Sequence, residues 1–231
     1  MSPRQVLPRP ADVRPGRTSA PWSPERLRRC RPRDVLAAFV GAGADPTRST
    51  PWGVPPVDDP RLARSAVLVP LVQRSEPSQG LSLLLTRRAG HLERHAGEVA
   101  FPGGRVEPGE TPAEAALREA WEEVGLDPGG CRIVGTLPRL ATYSSRAGIE
   151  PFVALVGSEP ALEARPAEVE RILVVSLAEL ARPGVFVEEV WSVPGRGEVV
   201  MPMFLLGEDL VWGATARLVV ELLDLLDPAG S

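Results

Sequence analysis

Hydrophobic and polar positions form two patterns after residue 61, one typical of β-strands and the other of α-helices. Short apolar runs bounded by turn residues are typical of buried strands. They predict strands at residues 66–73, 81–86, 132–137, 149–156, 172–175, 186–193 and 199–205. Apolar positions three or four residues apart predict two long helices, at residues 111–124 and 214–226. Strands flanked by two helices indicate one α/β or α+β domain over residues 61–228.

The first 60 residues have a different composition. They contain 12 of the 26 prolines and carry ten arginines against six acidic residues, a net charge of +4. Because proline interrupts helices and central strands, we expect residues 1–60 to form a mostly irregular, solvated extension with one short helix near residues 32–40.

The charge of the remaining residues limits the class of partner. They carry 16 arginines against 24 acidic residues, a net charge of −8. A sequence-independent grip on nucleic acid requires clustered cations, so this acidic body argues against nucleic-acid binding. It remains compatible with a small phosphorylated substrate that is held through a bound metal ion.

Membrane and export signals are absent from the pattern. No apolar run approaches the roughly 18 residues of a membrane helix, and the proline-rich start lacks the apolar core of a signal peptide. Cys30 and Cys131 are too few for a disulfide scaffold or a cysteine-based zinc site. We therefore expect a cytoplasmic protein with reduced thiols and no membrane partner. The oligomeric state stays open, a homodimer included.

Candidate chemistry lies on the helix predicted over residues 111–124. Glu119, Glu122 and Glu123 are spaced to share one side of it. The opposite side is predicted to be an apolar arc of Leu117, Ala120, Trp121 and Val124. Three like charges on one face repel one another, so they require solvent or a cation. Mg²⁺ prefers such carboxylate oxygens, and Arg118 can orient Glu122 through a charge-assisted hydrogen bond.

A glycine-rich segment precedes this helix. Gly103 and Gly104 permit close approach of the backbone to a ligand or ion. Glu110 is placed to cap the helix or to hold the loop through backbone amides. The acidic helix alone is also explained as a solvated face. The glycine-rich loop, Glu110 and the three glutamates together favour a binding site for a ligand or metal ion over a solvated helix face.

These residues resemble the Nudix box, GX5EX7REUXEEXGU. The match covers every fixed position of the pattern, with Ala120 as a small version of the bulky aliphatic U. The matching residues are Gly104, Glu110, Arg118, Glu119, Ala120, Glu122, Glu123, Gly125 and Leu126. Members of this family hydrolyse a diphosphate linked to another moiety, with magnesium or manganese. The resemblance implies an α/β/α sandwich around a mixed sheet.

The preceding segment resembles coenzyme A pyrophosphatases. Residues 84–104 read LLTRRAGHLERHAGEVAFPGG, against the pattern LLTxR[SA]xxxRxxxGxxxFPGG. Residues 212–216, WGATA, are similar to the WGxTA that begins the last helix of those enzymes. The resemblance spans about residues 62–226. It implies hydrolysis of CoA or acyl-CoA to 3′,5′-ADP and 4′-(acyl)phosphopantetheine, without a covalent intermediate.

The two resemblances assign roles to named residues. Glu119, Glu122, Glu123 and Arg118 are the expected catalytic residues, and the three glutamates are the expected ligands of Mg²⁺ or Mn²⁺. The expected substrate-binding residues are Arg88, His95, Gly103 and Gly104. The group that accepts the proton of the attacking water stays open between Glu122 and a carboxylate outside the box.

Several alternatives remain at this point. Glu93 stands where the CoA pattern has Arg, which keeps other diphosphates in view: ADP-ribose, a nucleotide sugar or a nucleoside triphosphate. A non-catalytic Nudix-like module would be expected to lack some of the box carboxylates. Glu168 and Glu170 are interpreted as surface charges that could supply a further carboxylate. His91 and His95 have no third histidine or cysteine near them in sequence, so we expect phosphate contact or packing.

Overall fold

The computed structural model describes residues 7–42, 63–141, 147–157, 160–195 and 197–228. Its strands are β1 (Val13–Pro15), β2 (Ala63–Gln73), β3 (Leu81–Arg88), β4 (Val99–Ala100), β5 (Gly103–Arg105), β6 (Cys131–Thr136), β7 (Leu140–Ala141), β8 (Ala147–Val156), β9 (Val169–Ser176), β10 (Phe186–Val193), β11 (Gly197–Leu206) and β12 (Asp209–Val211). Its helices are α1 (Pro24–Arg28), α2 (Pro32–Ala42), α3 (Pro112–Val124), α4 (Leu177–Leu180) and α5 (Gly213–Leu226). Each predicted strand and helix is present, with bounds that differ by a few residues.

The strands form two sheets. The larger sheet has the order β4-β3-β2-β8-β6, with β5 paired to β2, β7 to β8 and β9 to β3. Strands β2 and β8 are parallel, whereas the other pairs of this sheet are antiparallel. The smaller sheet, β1-β10-β11-β12, is antiparallel throughout. The mixed central sheet confirms the predicted α/β (α+β) class.

Helices cover both faces of the larger sheet. Helix α3 packs its alanines and Val124 on one face, against Ala66 and Leu68 of β2. On the other face, α5 contributes the stripe that its periodicity predicts, in which Leu218, Val219, Leu222 and Leu223 are buried. No helix of the described ranges is long and apolar enough to cross a membrane. This layering presents one end of α3 to the edge of β5, where the candidate site lies.

The N-terminal segment differs from the expected solvated extension. Residues 1–6 and 43–60 lie outside the described residues, but β1 pairs with β10 and the predicted short helix is α2. Trp22 is buried, with its ring centroid 5.1 Å from that of Phe186. Composition was a poor guide because a few well-spaced apolar residues suffice to reach the core. Arginines of this segment also pair with acidic residues of the small sheet, as Arg9 does with Glu189 at 2.8 Å.

We expect Trp22→Phe to lower the free energy of unfolding by about 1–2 kcal/mol, since it removes a hydrogen bond and part of a buried ring. The indole Nε1 of Trp22 donates to Asp224 Oδ1 at 2.8 Å. Urea denaturation measures the change. Trp121→Phe is the matched control, because Trp121 is 50% exposed and its replacement should stay within about 0.5 kcal/mol. Equal losses in the two variants would contradict a core role for Trp22.

Candidate active site

Local signals fix both ends of helix α3. The hydroxyl of Thr111 accepts a hydrogen bond from the Glu114 amide, and the Glu114 carboxylate accepts one from the Thr111 amide. This reciprocal capping box satisfies two amides of the first turn. Gly125, at φ 69°, ends the helix in the left-handed conformation that glycine adopts without strain. These two signals set where α3 begins and ends.

The acidic side of α3 faces partly inward. Glu123 is 3% exposed and Glu119 is 15% exposed, whereas Glu122 is 54% exposed. Trp121 was predicted to share the apolar arc of α3, but the sheet covers this arc only in part, and Trp121 is half exposed. The side chains of α3 that are fully buried among apolar residues are those of Ala115, Ala116, Ala120 and Val124. The small alanines bring the helix close to the sheet, and this orientation carries Glu119 and Glu123 to the edge of β5.

The two inward glutamates lie against the glycine pair. The Gly103 amide donates to Glu123 Oε2 at 3.3 Å. A Cβ atom on Gly104 would lie 2.9 Å from Glu119 Oε2 and 2.5 Å from its carboxyl carbon. The absence of a side chain at Gly104 therefore makes room for the Glu119 carboxylate. Strand β5 holds both glycines in place through its pairing with β2.

Arg118 connects the loop to two of the glutamates. Its Nε and Nη2 donate to the two oxygens of Glu110 at 3.1 and 2.9 Å, a bidentate pair. Its Nη1 donates to Glu119 at 3.1 Å and to Glu122 at 2.9 Å, and Nη2 also reaches the carbonyl of Arg105. The hydrogen bond from Arg118 lowers the pKa of Glu110. Arg118 thus orients Glu122, as its spacing predicts, and it also holds Glu119 and links both to Glu110.

The loop before β9 brings another carboxylate to this site. The Arg165 amide donates to the Glu123 carbonyl at 3.0 Å, which attaches the loop to the end of α3. The Ala89 amide donates to the Glu168 carbonyl at 2.8 Å, which attaches it to the end of β3. Glu168 is exposed, and its charge contributes to the pKa of both Glu119 and Glu123. Sequence reasoning interpreted Glu168 as surface charge, because its proximity to α3 depends on the folded loop.

The charges of the inward glutamates are only partly compensated. Burial raises the pKa of Glu123 to about 8, and the pKa of Glu119 is also raised, first by burial. Repulsion from Glu168 adds to both, and the partial compensation at Glu123 comes from Arg88 Nη1, 3.6 Å from Oε1. No ready-made group of three His, Cys, Asp or Glu residues able to hold a metal occurs within the described ranges. A hard divalent cation fits these carboxylate oxygens and would favour their ionised forms.

The remaining candidates occupy the strand and turn before the glycine pair. Arg88 reaches Glu123, so the structure brings it to the acidic face. His95 is exposed, and its Nδ1 lies 2.9 Å from Glu98 Oε2, a hydrogen bond that raises the pKa of His95. His91 Nε2 lies 3.2 Å from the Ala167 carbonyl. Glu93 is exposed. The histidines thus contact the turn and the loop before β9 rather than the three glutamates.

Comparisons with known proteins identify the family of the chain. The profile of the NUDIX domain matches residues 62–192. The chain belongs to the Nudix family. It is 37% identical over 161 residues to an uncharacterized Nudix hydrolase NudL of Yersinia enterocolitica, which covers 68% of this chain and 78% of that protein. The NudL protein of Escherichia coli K12 is 35% identical, over 69% of this chain and 80% of that one.

Solved structures include a MutT/nudix family protein from Enterococcus faecalis. It is 17% identical, with a TM-score of 0.46, over 85% of this chain and 70% of that chain. The Nudix membership rests on the profile and on the NudL relatives. Within the Nudix box, the structure brings together the helix glutamates, Arg118, Glu110 and Gly104, which the sequence spreads over 20 residues.

Proposed function

We propose that this Nudix hydrolase cleaves the diphosphate bond of CoA or acyl-CoA, which yields 3′,5′-ADP and 4′-(acyl)phosphopantetheine. One observation carries the proposal: the segment that resembles CoA pyrophosphatases folds onto the Nudix helix at Glu123. Arg88, from β3, reaches one oxygen of Glu123, and the Gly103 amide, from the end of that segment, donates to the other. The CoA-like segment is therefore part of the same site as the acidic helix.

Glu119, Glu123 and Glu122 would hold Mg²⁺ or Mn²⁺ in this proposal. Glu119 and Glu123 are withdrawn from solvent, and this burial is the first cause of their raised pKa values. A bound cation would favour their ionised forms. When bound, the ion neutralises diphosphate charge and lowers the pKa of a water molecule. Gln replacements of Glu119 and Glu123 test this role directly.

The other residues act on the substrate and on the proton. The Arg88 guanidinium is placed to donate to a phosphoryl oxygen, since its Nη1 lies within 3.6 Å of the acidic face. The oxygen of a water forms a bond to one phosphorus, and the bridging P–O bond breaks. In this proposal the exposed Glu168 carboxylate accepts the proton of that water, since backbone hydrogen bonds attach its loop to the ends of β3 and α3 beside the glutamates. The hydrogen bond with Glu98 raises the pKa of His95 and so favours its cationic form, which in this proposal contacts a phosphate of the substrate.

We expect CoA to be hydrolysed with at least about tenfold higher kcat/KM than ADP-ribose, a difference of roughly 1.4 kcal/mol in transition-state binding. The measurement is a product-resolved panel of CoA, oxidised CoA, acyl-CoAs, ADP-ribose and nucleotide sugars, each with Mg²⁺ and with Mn²⁺. A tenfold preference for ADP-ribose or a nucleotide sugar would replace the CoA assignment with the second Nudix substrate class. No turnover of any substrate would favour a non-catalytic binding module.

Glu93 is the observation that favours the second substrate class. It places a negative charge in an exposed turn that follows Arg88. Within the described part of the chain, no ion pair joins Glu93 to Arg88 or Arg94, and Arg88 pairs with Glu123 instead. The carboxylate of Glu93 is thus available to repel an anionic substrate.

We expect Glu93→Arg to lower KM for CoA by about two- to fivefold, the range of an exposed charge interaction, with kcat unchanged. Because exposed charges are screened over about 10 Å at 0.1 M salt, the effect should shrink as salt rises. Glu76→Arg is the matched control: Glu76 is also exposed, but it precedes the opposite end of β3. An equal KM in wild type and Glu93→Arg at low salt would show that position 93 does not face the substrate.

A further inference from the structure

A network of buried charges joins the two sheets behind the candidate site. Asp209 of β12 is 5% exposed, and Arg87 of β3 is 7% exposed. Arg87 Nη1 donates to Asp209 Oδ1 at 3.1 Å, and Nη2 of Arg171, on β9, donates to Asp209 Oδ2. One carboxylate from the small sheet therefore binds two arginines on neighbouring strands of the large sheet.

A β-bulge lies between those two strands. Arg87 is opposite Arg171, but the next residue of β3, Arg88, is opposite Val169. Glu170 is the extra residue of β9, and its Oε2 lies 3.4 Å from Arg87 Nε. A bulge bends its strand and changes the direction of the side chains that follow. This bulge is therefore held by the arginine that Asp209 binds.

The residues just beyond the bulge belong to the candidate site. On β3 the next residue is Arg88, which reaches Glu123. In the loop just before β9, two residues ahead of Glu170, the carbonyl of Glu168 accepts a hydrogen bond from the Ala89 amide. The direction of both side chains depends on where the pairing of β3 and β9 changes register.

We propose that Asp209 is a positioning residue for hydrolysis, because it fixes the bulge that aims Arg88 and Glu168. The inference rests on the proposed function, in which these two side chains face the diphosphate. Asp209 itself lies on β12, in the small sheet, and acts only through Arg87 and Arg171.

Charge balance explains why one carboxylate has this effect. Without the charge of Asp209, the guanidinium groups of Arg87 and Arg171 face each other across adjacent strands with less negative charge around them. Glu170 still lies 3.4 Å from Arg87, and the exposed Glu208 still pairs with Arg171. Because the Arg87 side chain is only 7% exposed, we expect the remaining repulsion to be relieved by a shift of the two strands at the bulge, where their regular pairing is interrupted. A displacement of about 1 Å at a catalytic group can lower a rate by roughly 100-fold.

Asp209→Asn tests the proposal. We expect kcat to fall by about 10- to 100-fold, with KM within threefold of wild type, at a temperature well below the Tm of the variant. Glu208→Gln is the matched control, because Glu208 is the other partner of Arg171, at 2.6 Å, and is 72% exposed. The control should keep kcat within twofold. Equal kcat values in Asp209→Asn and wild type would overturn the proposal.

A double variant separates positioning from stability. Replacing a buried ion pair with apolar residues of similar volume often preserves stability. Arg87→Met/Asp209→Leu should therefore melt close to wild type, while its kcat stays at least tenfold low because the bulge is no longer held. If kcat recovers together with Tm, the network only stabilises the fold and Asp209 has no positioning role.

Hydrogen exchange makes the test independent of the substrate assignment. In substrate-free protein, both Asp209→Asn and the double variant should exchange faster than wild type at the Ala89 and Val169 amides, which donate to the Glu168 and Arg165 carbonyls. Unchanged protection in both variants would overturn the proposal even for a wild-type protein inactive on CoA. Conversely, activity on ADP-ribose alone would reject the CoA assignment, and the variants would then be compared on ADP-ribose.

Discussion

Glu119→Gln and Glu123→Gln are each expected to lower kcat by about 100-fold or more, the usual cost of removing one preorganised electrostatic group from an active site. Both residues lie at the edge of β5, and both carry charge that burial disfavours. Glutamine keeps the size of each side chain, and at position 123 its oxygen can still accept the Gly103 amide. The loss should therefore fall on catalysis and leave the fold intact.

Glu123→Gln should affect activity and stability in opposite directions: kcat falls, whereas the Tm does not. Burial raises the pKa of Glu123 to about 8 in the folded protein, so the ionised form is disfavoured relative to the unfolded chain. Its penalty grows as pH rises from the unfolded value toward 8 and remains above it. At pH 8 without added metal, the Tm of Glu123→Gln should equal or exceed that of wild type.

Steady-state kinetics with Mg²⁺ and Mn²⁺, together with thermal melts, provide the measurements. Glu107→Gln is the matched control, since Glu107 is an exposed glutamate of the same loop whose backbone amide, bonded to Glu110, is retained. It should keep kcat within about twofold, as an exposed substitution away from the site. Near-normal turnover in both helix variants, with unaltered metal dependence, would remove these residues from the site.

The sequence predicted those structural features that depend on residues close together in the chain. Helix α3 was predicted at its observed place because its periodicity and its ends are local, with the capping box at Thr111 and the terminal Gly125. The periodicity placed Trp121 on the apolar arc of α3, but it could not show how much of that arc the sheet covers, and Trp121 is half exposed. The small alanines and the glycine pair decided that, through contacts with β2 and β5.

Features that depend on distant residues were harder to predict. Glu168 is 45 residues from Glu123 in the chain, and two backbone hydrogen bonds of its loop bring it to the site. The packing of Trp22 against Phe186 similarly brings together two residues that are far apart in the sequence. Composition described the N-terminal segment as solvated because proline and arginine dominate it. The few apolar residues that pack this segment against the core, such as Trp22, hardly change its average composition.

Gly104→Ala is expected to lower kcat by about 100-fold, because a misplacement of roughly 1 Å at a catalytic group has that cost. The added Cβ would lie 2.9 Å from Glu119 Oε2 and 2.5 Å from its carboxyl carbon. Gly104 does not have a positive φ, so alanine fits its backbone. The carboxylate is the end of a flexible side chain and can move aside, which should keep Tm near that of wild type.

Alanine substitutions at two other glycines, Gly103 and Gly130, are the controls for Gly104→Ala. At Gly103 the added Cβ would lie 2.7 Å from Val67 Cα, part of the β2 backbone, so Gly103→Ala should lower Tm as well as activity. At Gly130 nothing lies within 4 Å, so Gly130→Ala should change neither. Comparing kcat and Tm across the three variants separates displacement of Glu119 from general damage. If Gly104→Ala lost Tm to the same extent as Gly103→Ala, or retained wild-type kcat, the glycine would not be reserving space for the Glu119 carboxylate.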